Sequence, residues 1–279
     1  MDLLGKKVLV AGCGKSGLGA AGLLQKAGAV PVLFDENEKL DGKALCARED
    51  YPKDTALVLG SLPKELLSEL SLAVLSPGIS IEEAFVSTLE EADIPVWGEI
   101  ELAWNFEKGK VLAITGTNGK TTTTTLVGEI MKRYQDNTFV VGNIGTPYTQ
   151  EVLKTDKDSV TVAEISSFQL ETIMDFRPDV SAILNITPDH LNRHGTMENY
   201  IEVKERVAVN QTEDDCIVLN YDDKVLREFG EKKDLKPKVI FFSPKEGDPD
   251  DYVAIELASG KRITITNTCA ANVLGLISP

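Results

Sequence analysis

A glycine-lysine-threonine core in the middle of the chain has the clearest chemical meaning in the sequence. The run Gly116-Thr117-Asn118-Gly119-Lys120-Thr121-Thr122 follows the apolar stretch Val111–Thr115 and precedes a helical pattern. In such a loop, backbone N–H groups hold phosphate oxygens, the lysine neutralises the β- and γ-phosphates, and the threonine hydroxyl can bind Mg²⁺. Ile114 stands where the longer GxxxxGK[ST] loop has its first glycine, so this loop is a shorter variant. These residues predict an ATP site.

A second glycine-rich turn lies near the start of the chain. Gly12-Cys13-Gly14-Lys15-Ser16-Gly17 is a GxGxxG run between an apolar stretch and a helical pattern. Glycines let the backbone approach a phosphate, and the following helix offers unpaired N–H groups. Asp35 ends the next apolar run, where a carboxylate can accept hydrogen bonds from a ribose. The turn therefore predicts a nucleotide or dinucleotide site, the alternative being glycines that serve helix–strand packing alone.

Two further residues have the chemistry that a triphosphate site needs. Glu164 ends the apolar run Val160–Ala163, where a charge is costly unless it faces a cation or another partner. His190 follows the apolar run Val180–Asn185, and its position beyond a strand end favours a role at the site over that of an ordinary surface histidine. His194, the other histidine of the chain, is expected to be structural.

The elements that must position these residues alternate between strand and helix patterns. Such alternation indicates βαβ units and a parallel sheet. The predicted strands are Lys7–Ala11, Val30–Phe34, Ala56–Leu59, Leu72–Leu75, Val111–Thr115, Phe139–Val141, Val160–Ile165, Val180–Asn185, Cys216–Leu219 and Val239–Phe242. The pattern starts afresh at Val111, so we predict a domain boundary near Trp97. Tyr252–Glu256 and Arg262–Thr266 are predicted to form a β-hairpin.

Composition and charge exclude several classes of protein. The 279 residues are 42% hydrophobic and 26% charged, which is typical of a folded chain and sufficient for two domains. The net charge of −15 opposes broad binding to nucleic acid. The four cysteines form no CxxC pair, and no apolar window reaches the length of a membrane span. We therefore expect a cytoplasmic protein, a monomer with no nucleic-acid or membrane partner.

The chemical segments taken together resemble the Mur ligases, the ATP-dependent amide-bond-forming enzymes of peptidoglycan precursor synthesis. The resemblance rests on the N-terminal GxGxxG region, on residues 116–122, on Glu164-Ile165-Ser166-Ser167-Phe168-Gln169-Leu170-Glu171, and on Asn185-Ile186-Thr187-Pro188-Asp189-His190-Leu191. Within the family, it is nearest to the branch that adds D-glutamate to UDP-N-acetylmuramoyl-L-alanine. The L-alanine-adding relatives usually have a histidine where Asn118 stands, and later-acting relatives lack a Rossmann-like first domain.

The resemblance implies an α/β fold with two domains and a site in each. Residues 1–97 would be a Rossmann-like parallel-sheet domain that binds the UDP-sugar, and residues 98–279 a central P-loop-type α/β domain that binds ATP. The implied UDP-substrate contacts are Gly14, Lys15, Ser16, Gly17, Asp35, Ser76, Pro77, Gly78, Asn143 and Ser166. The implied ATP contacts are Gly116, Thr117, Asn118, Gly119, Lys120, Thr121 and Thr122. The implied catalytic residues are Lys120, Glu164, His190 and Lys204, and the implied Mg²⁺ ligands are Thr121, Glu164, His190 and Lys204 as a carbamate.

The sequence departs from the family pattern in three places. Asn192 replaces an aspartate that is common in the loop after His190. Asn267 and Asn272 lie where an adenine-contact segment is expected, but they lack its histidine and its spacing, so that role is not transferred. The family's third domain, which binds the incoming amino acid, would follow residue 279. We therefore expect this chain alone to bind both nucleotides without completing the ligation.

Two alternatives to a ligase remain at this point. The first is a two-domain fragment that binds the UDP-sugar and ATP but has no ligase activity. The second is a nicotinamide-dependent oxidoreductase, which rests only on the first glycine-rich turn and Asp35.

Overall fold

The computed structural model describes residues 2–243 and two later strands, Tyr252–Glu256 and Arg262–Thr266. The two later strands pair antiparallel, which confirms the predicted hairpin strands. The turn between them, together with Asn267 and Asn272, lies outside the described residues. Among the described helices, none combines the length and the apolar character that crossing a bilayer requires.

Residue contacts divide the chain into two compact units. The first unit contains residues 2–107 together with two later segments, 146–154 and 171–176. The second unit contains the other described residues from Lys108 onward. This division is not a single cut, because the chain returns twice to the first unit. The domain boundary between residues 97 and 98 stays a prediction.

Five parallel strands form the sheet of the first unit, within residues 7–98. They are β1 (Lys7–Ala11), β2 (Val30–Asp35), β3 (Ala56–Leu59), β4 (Leu70–Leu75) and β5 (Val96–Gly98). Their order is β3-β2-β1-β4-β5, so the strand order reverses beside β1. In an open parallel sheet, the crevice at such a reversal is where ligands bind, at the carboxyl ends of the strands. The glycine-rich turn follows β1 at this end.

Six parallel strands form the sheet of the second unit, within residues 110–242. They are β6 (Lys110–Thr115), β7 (Thr138–Gly142), β8 (Val160–Glu164), β9 (Val180–Ile183), β10 (Cys216–Asn220) and β11 (Lys238–Phe242). The order is β11-β10-β9-β6-β8-β7, which places β6 between β8 and β9. Residues that follow β6, β8 and β9 therefore meet at one edge. The hairpin strands are β12 (Tyr252–Glu256) and β13 (Arg262–Thr266).

Helices connect the strands in both units. They are α1 (Lys15–Lys26), α2 (Gly42–Cys46), α3 (Lys64–Leu67), α4 (Ala84–Glu91), α5 (Glu99–Trp104), α6 (Lys120–Met131), α7 (Tyr148–Glu151), α8 (Ser167–Leu170), α9 (Leu191–His194), α10 (Met197–Glu205) and α11 (Lys224–Gly230). Helix α7 belongs to the first unit, where it packs against α1 and α5. Helix α6 follows the loop of residues 116–119, called the phosphate loop below, and packs against β7 and β8.

Each sheet is covered by its own apolar core. In the first unit, Leu9, Val32 and Leu75 are buried on the sheet with Phe34, whose ring meets the edge of Phe85 at a centroid distance of 5.0 Å. The second core is made of residues from β6, β8, β9 and β10 and from one face of α6: Leu112, Ile114, Val127, Met131, Val162, Val180, Ala182 and Val218. These runs are apolar without alternation, as expected for strands covered on both faces.

Two buried glutamates hold the returning segments in the first unit. Both oxygens of Glu101 accept hydrogen bonds from backbone N–H groups of Met174, Asp175 and Phe176, at 2.9–3.0 Å. Glu99 accepts two more from the backbone and hydroxyl of Thr149. Hydrogen bonding of this kind offsets the desolvation of a buried carboxylate.

Candidate active site

The phosphate loop of the second unit is shaped by its two glycines. Gly116 has φ 143° and Gly119 has φ 83°, both in the region that L-residues with a side chain rarely adopt. A Cβ on Gly116 would also lie 3.1 Å from Cβ of Leu184. Helix α6 begins directly after Gly119, so its unpaired N–H groups face the loop. This is the strand–loop–helix arrangement that holds a phosphate.

Lys120 lies with its ammonium inside this loop. Nζ donates to the carbonyl oxygens of Gly116 at 2.9 Å and of Thr117 at 2.8 Å. Since carbonyl groups stabilise a positive charge without neutralising it, the ammonium keeps its charge available for an anion. The role of Lys120 in phosphate binding stays a prediction.

Glu164 has the surroundings of a cation ligand. Its side chain is 1% exposed at the end of β8. Oε2 accepts a hydrogen bond from the Thr121 hydroxyl at 2.9 Å, and Oε1 accepts one from Nδ2 of Asn143 at 2.8 Å. Both hydrogen-bond donors are neutral groups, a hydroxyl and an amide. Carboxylate and hydroxyl oxygens are ligands that Mg²⁺ prefers, so Glu164 and Thr121 fit this ion.

Gly142 makes the approach of Asn143 to Glu164 possible. It ends β7 with φ 105°, and a Cβ there would lie 2.2 Å from the carbonyl oxygen of Glu164. The N–H of Asn143 donates to that same carbonyl at 2.8 Å. Any larger residue at position 142 would push the two loops apart.

Lys204 is a buried amine beside the phosphate loop. It lies on α10, is 1% exposed, and donates to the carbonyl oxygen of Gly116 at 2.9 Å, the same oxygen that Lys120 contacts. The Tyr200 ring lies 4.8 Å from its Nζ. Burial, and secondarily the charge of Lys120, lowers the pKa of Lys204 to about 7, against a weaker opposing effect of Asp189. A large neutral fraction at physiological pH follows.

The lowered pKa of Lys204 predicts how stability changes with pH. The unfolded chain keeps the ordinary lysine pKa, so it binds more protons than the folded protein between pH 7 and about 10. The free energy of unfolding therefore rises with pH in that range, by about 2 kcal/mol between pH 7 and 9. Lys204→Met should lose this rise, which urea unfolding at pH 7, 8 and 9 in CO₂-free buffer measures.

The matched control for this experiment is Lys232→Met. Lys232 forms an ion pair with Glu205 at 2.7 Å and its side chain is 49% exposed. Its removal should leave the pH profile parallel to that of the unsubstituted protein. Parallel profiles for Lys204→Met and the unsubstituted protein would show that the buried amine does not titrate in this range.

The structure does not bring His190 into contact with Glu164. His190 is exposed in a left-handed conformation, with φ 51°, and its Nε2 lies 3.4 Å from Oδ2 of Asp189. Its ring packs on Phe168 at 4.9 Å. Within the described part of the chain, no group of three or more His, Cys, Asp or Glu side chains is arranged to hold a metal. The second Mg²⁺ site, with His190 and Lys204, stays a prediction.

The remaining predicted residues of the second unit have separate contacts. Ser166 hydrogen-bonds through its backbone N–H and hydroxyl to Gln169, at 2.9 and 3.0 Å. Thr122 lies exposed on α6. His194 is buried, and Nε2 lies 3.0 Å from the hydroxyl of Ser167. That environment agrees with the structural role predicted for His194.

In the first unit, the glycine-rich turn is packed closely at two of its glycines and open at the third. Gly12 has φ 94°, and its N–H donates to the carbonyl of Phe34 at 2.7 Å. A Cβ on Gly17 would lie 1.8 Å from the carbonyl oxygen of Gly12. Around Gly14, by contrast, an added Cβ would meet no described atom within 4 Å. Gly14 therefore leaves room for a ligand, whereas Gly12 and Gly17 serve packing.

The other predicted residues of the first unit surround this turn. Oδ2 of Asp35 accepts a hydrogen bond from the N–H of Cys13 at 3.1 Å, and Oδ1 accepts one from Asn37 at 3.0 Å. The N–H of Ser76 donates to Ala11 at 3.0 Å, which brings Ser76-Pro77-Gly78 to the same edge of the sheet. Lys15 and Ser16 open α1 there. Asp35 thus holds the turn itself, a role that the sequence did not predict.

Sequence reasoning also missed polar residues that hold the phosphate loop. The Thr117 hydroxyl exchanges hydrogen bonds with the N–H and the carbonyl of Thr187, at 3.0 and 3.1 Å, and lies 3.1 Å from the hydroxyl of Tyr200. Asn185 hydrogen-bonds to Asn118. Two patterns could have indicated them: Asn185 is polar at the end of an apolar run, and Tyr200 precedes Lys204 by one helical turn.

Comparison with known families decides what kind of chain this is. Residues 114–274, more than half of the chain, match the family described as the Mur ligase middle domain. The chain belongs to the Mur ligase family. Residues 6–98 of this Mur ligase match the MurD-like N-terminal domain of the family. The family predicted from the motifs is confirmed.

Curated relatives of this Mur ligase share one name. UDP-N-acetylmuramoylalanine–D-glutamate ligase from Lachnoclostridium phytofermentans is 60% identical over 229 residues, which are 81% of this chain and 50% of that protein. The ligase of the same name from Lachnospira eligens is 56% identical over 280 residues, 99% of this chain and 62% of that protein. The chain thus spans between half and two thirds of the length of these relatives.

Solved structures of other Mur ligases share the fold. The UDP-N-acetylmuramate:L-alanyl-γ-D-glutamyl-meso-diaminopimelate ligase from Neisseria meningitides has a TM-score of 0.58 at 17% identity, covering 98% of this chain and 92% of that one. UDP-N-acetylmuramate–alanine ligase from Thermotoga maritima has a TM-score of 0.51 at 20% identity, covering 87% and 53%. The predicted fold class, a Rossmann-like domain followed by a P-loop-type α/β domain, is confirmed.

Proposed function

We propose that the protein is an ATP-dependent ligase that adds D-glutamate to UDP-N-acetylmuramoyl-L-alanine through an acyl phosphate. The observation that carries this proposal is the buried Glu164 carboxylate, which accepts a hydrogen bond from the hydroxyl of Thr121. Thr121 directly follows Lys120, the lysine of the phosphate loop. The names of the curated relatives support the substrates. The proposal concerns the whole protein, because the chain matches only part of the length of those relatives.

The ATP end of the reaction belongs to the second unit. Lys120 would exchange its carbonyl partners for oxygens of the β- and γ-phosphates, since its ammonium already lies in the loop. The unpaired N–H groups at the start of α6 would hold further phosphate oxygens. Thr121 and Glu164 would hold Mg²⁺, which supplies positive charge to the triphosphate. The phosphate anions would then be held by local charges despite the negative charge of the chain.

The UDP-sugar would bind in the first unit. Gly14 leaves space for close approach of a pyrophosphate, and the start of α1 supplies N–H groups. Lys15, Ser16 and the Ser76-Pro77-Gly78 loop lie at the same edge of the sheet. Asn143 stays a predicted contact of the substrate near its reacting end, and Ser166 a further predicted substrate contact. Asp35 would hold the glycine-rich turn through its hydrogen bond from the N–H of Cys13. Its remaining lone pairs would accept hydrogen bonds from the ribose hydroxyls.

The chemistry requires activation of a carboxylate, which is a poor electrophile. A carboxylate oxygen of the UDP-sugar substrate would form a bond to the γ-phosphorus, while the bond between that phosphorus and the bridging oxygen breaks and ADP leaves with the electron pair. The D-glutamate nitrogen would then attack the carbonyl carbon. Phosphate leaves with the electron pair of the C–O bond, and the nitrogen loses a proton. Lys120 would stabilise the charge that gathers in the first step.

Lys204 would take part in a modified form. A neutral amine can add to CO₂ and lose a proton to give a carbamate, and the lowered pKa of Lys204 supplies a neutral amine near pH 7. The carbamate oxygens would help to hold a second Mg²⁺ with His190. Among the described residues, we assign none to D-glutamate.

Calorimetric titration of the purified chain tests the two nucleotide sites. We expect one molecule of ATP to bind in the presence of Mg²⁺ and one molecule of UDP-N-acetylmuramoyl-L-alanine to bind independently. NADH serves as the control for the oxidoreductase alternative, and it should give no binding heat. Binding of NADH in place of the UDP-sugar, or no heat with either expected ligand, would refute the proposal.

A further inference from the structure

Asn185 makes an unusual two-point contact with the phosphate loop. Its side-chain Oδ1 accepts a hydrogen bond from the N–H of Asn118 at 2.9 Å, and its Nδ2 donates to the carbonyl of Asn118 at 3.0 Å. Its backbone carbonyl accepts from the N–H of Thr117 at 2.9 Å. A primary amide has the same donor and acceptor groups as a peptide unit. Asn185 therefore continues the pairing of β6 and β9 beyond the end of β9 at Ile183.

The loop needs such support because of its own composition. Thr117 and Asn118 stand between Gly116 and Gly119, two residues with left-handed φ values and wide conformational freedom. Each residue that must be ordered when a ligand binds reduces the affinity, so a loop that is already ordered binds more tightly. Thr117 is held by Thr187, which leaves Asn118 to be held by Asn185.

The segment that carries Asn185 is itself anchored. Oδ2 of Asp223, which also caps α11, accepts a hydrogen bond from the N–H of Ile186 at 2.7 Å. The N–H of Leu184 donates to the carbonyl of Thr115 at 3.0 Å. Asn185 lies between these two fixed points, so its amide can impose a conformation on the loop.

We propose that Asn185 is a positioning residue that holds the phosphate loop in its binding conformation before the nucleotide arrives. The proposal rests on the proposed function, because it assigns this loop to ATP. It adds a residue whose side chain acts on the nucleotide site through the backbone of Asn118.

The test compares Asn185→Ala with a matched variant, Asn220→Ala. Asn220 stands at the end of the neighbouring strand β10, and its amide also makes two backbone hydrogen bonds, to Leu184 and Asp222. Neither bond involves the phosphate loop. Asn185→Ala should raise the Kd for ATP with Mg²⁺ by about tenfold, whereas Asn220→Ala should leave it within about twofold. Amide exchange at Asn118, measured by NMR without nucleotide, should become at least about tenfold faster only in Asn185→Ala.

The outcomes separate the two proposals. If the unsubstituted protein binds no ATP, the proposed function fails, and the Asn118 exchange rates still decide whether Asn185 orders the loop. Equal ATP affinities in the two variants, or equal Asn118 exchange rates, would overturn the positioning role.

A measurement on the unsubstituted protein covers the case in which Asn185→Ala does not fold. There the Asn118 amide should exchange more slowly than the amide of Thr122, because the first N–H groups of a helix have no partner within it. Equally fast exchange at both residues would refute the proposal.

Discussion

Lys120→Ala is expected to weaken ATP binding by at least about a hundredfold, while the Kd for the UDP-sugar stays within about twofold. The ammonium of Lys120 lies in the phosphate loop, held by two carbonyl oxygens. Its loss would remove the positive charge that we propose to meet the β- and γ-phosphates. The proposed UDP-sugar contacts on the glycine-rich turn would be unchanged. Separate calorimetric titrations with the two ligands measure both effects.

Lys132→Ala is the control for this substitution. Lys132 follows α6 directly and forms an exposed ion pair with Glu129 at 2.8 Å, so its removal changes the net charge by the same amount. It should leave both affinities nearly unchanged. If Lys120→Ala weakens the binding of ATP and of the UDP-sugar equally, the two sites are not separate. If Lys132→Ala also weakens ATP binding, the effect of Lys120→Ala comes from the net charge of the protein and not from a contact in the phosphate loop.

Gly17→Ala should be the most destabilising single-methyl addition in the first unit. The added carbon would lie 1.8 Å from the carbonyl oxygen of Gly12, a backbone atom that cannot move without disturbing the turn. The N–H of Gly12 would then lose its short hydrogen bond to Phe34. We expect a loss of at least about 3 kcal/mol in the free energy of unfolding of this unit, together with loss of UDP-sugar binding.

Gly22→Ala provides the opposite expectation on the same helix. An added Cβ at Gly22 meets no described atom within 4 Å, and alanine favours a helix over glycine by about 1 kcal/mol. Urea unfolding should therefore show Gly22→Ala to be slightly more stable than the unsubstituted protein. If Gly17→Ala and Gly22→Ala have the same free energy of unfolding, the backbone of the glycine-rich turn can move to accept the added methyl group, and the prediction is wrong.

The sequence allowed most of the fold to be predicted because its signals are local. The strands β1, β3, β12 and β13 have the predicted bounds, and the other predicted strands differ at their ends by one or two residues. Apolar runs that end at glycine-rich turns define such strands without reference to the rest of the chain. The three-residue strand β5 was missed, since a run that short resembles any loop.

The candidate site was only partly predictable, because sequence patterns identify neighbouring residues but not contacts between distant segments. Lys120 and Thr121 belong to one short motif, and Glu164 is conspicuous as a charge at the end of an apolar run. The hydrogen bonds of Asn185 to Asn118 cross 67 residues of sequence, so a polar residue at the end of an apolar run marks Asn185 without identifying its partner. The burial of Lys204 was equally hidden, because a lysine on a helix is normally exposed.

The two buried glutamates of α5 have a consequence for how the protein is made. Glu101 accepts hydrogen bonds from backbone amides that begin 73 residues further along the chain, and Glu99 accepts hydrogen bonds from a threonine 50 residues further along. While the ribosome is still translating those residues, α5 can dock only without these hydrogen bonds to its two buried carboxylates, which makes their burial more costly. The five strands of the first sheet are complete by residue 98, but α5 obtains all of these hydrogen bonds only after β6, β7 and β8 of the second sheet have been synthesised. The first unit can therefore complete its folding only after part of the second unit has been translated.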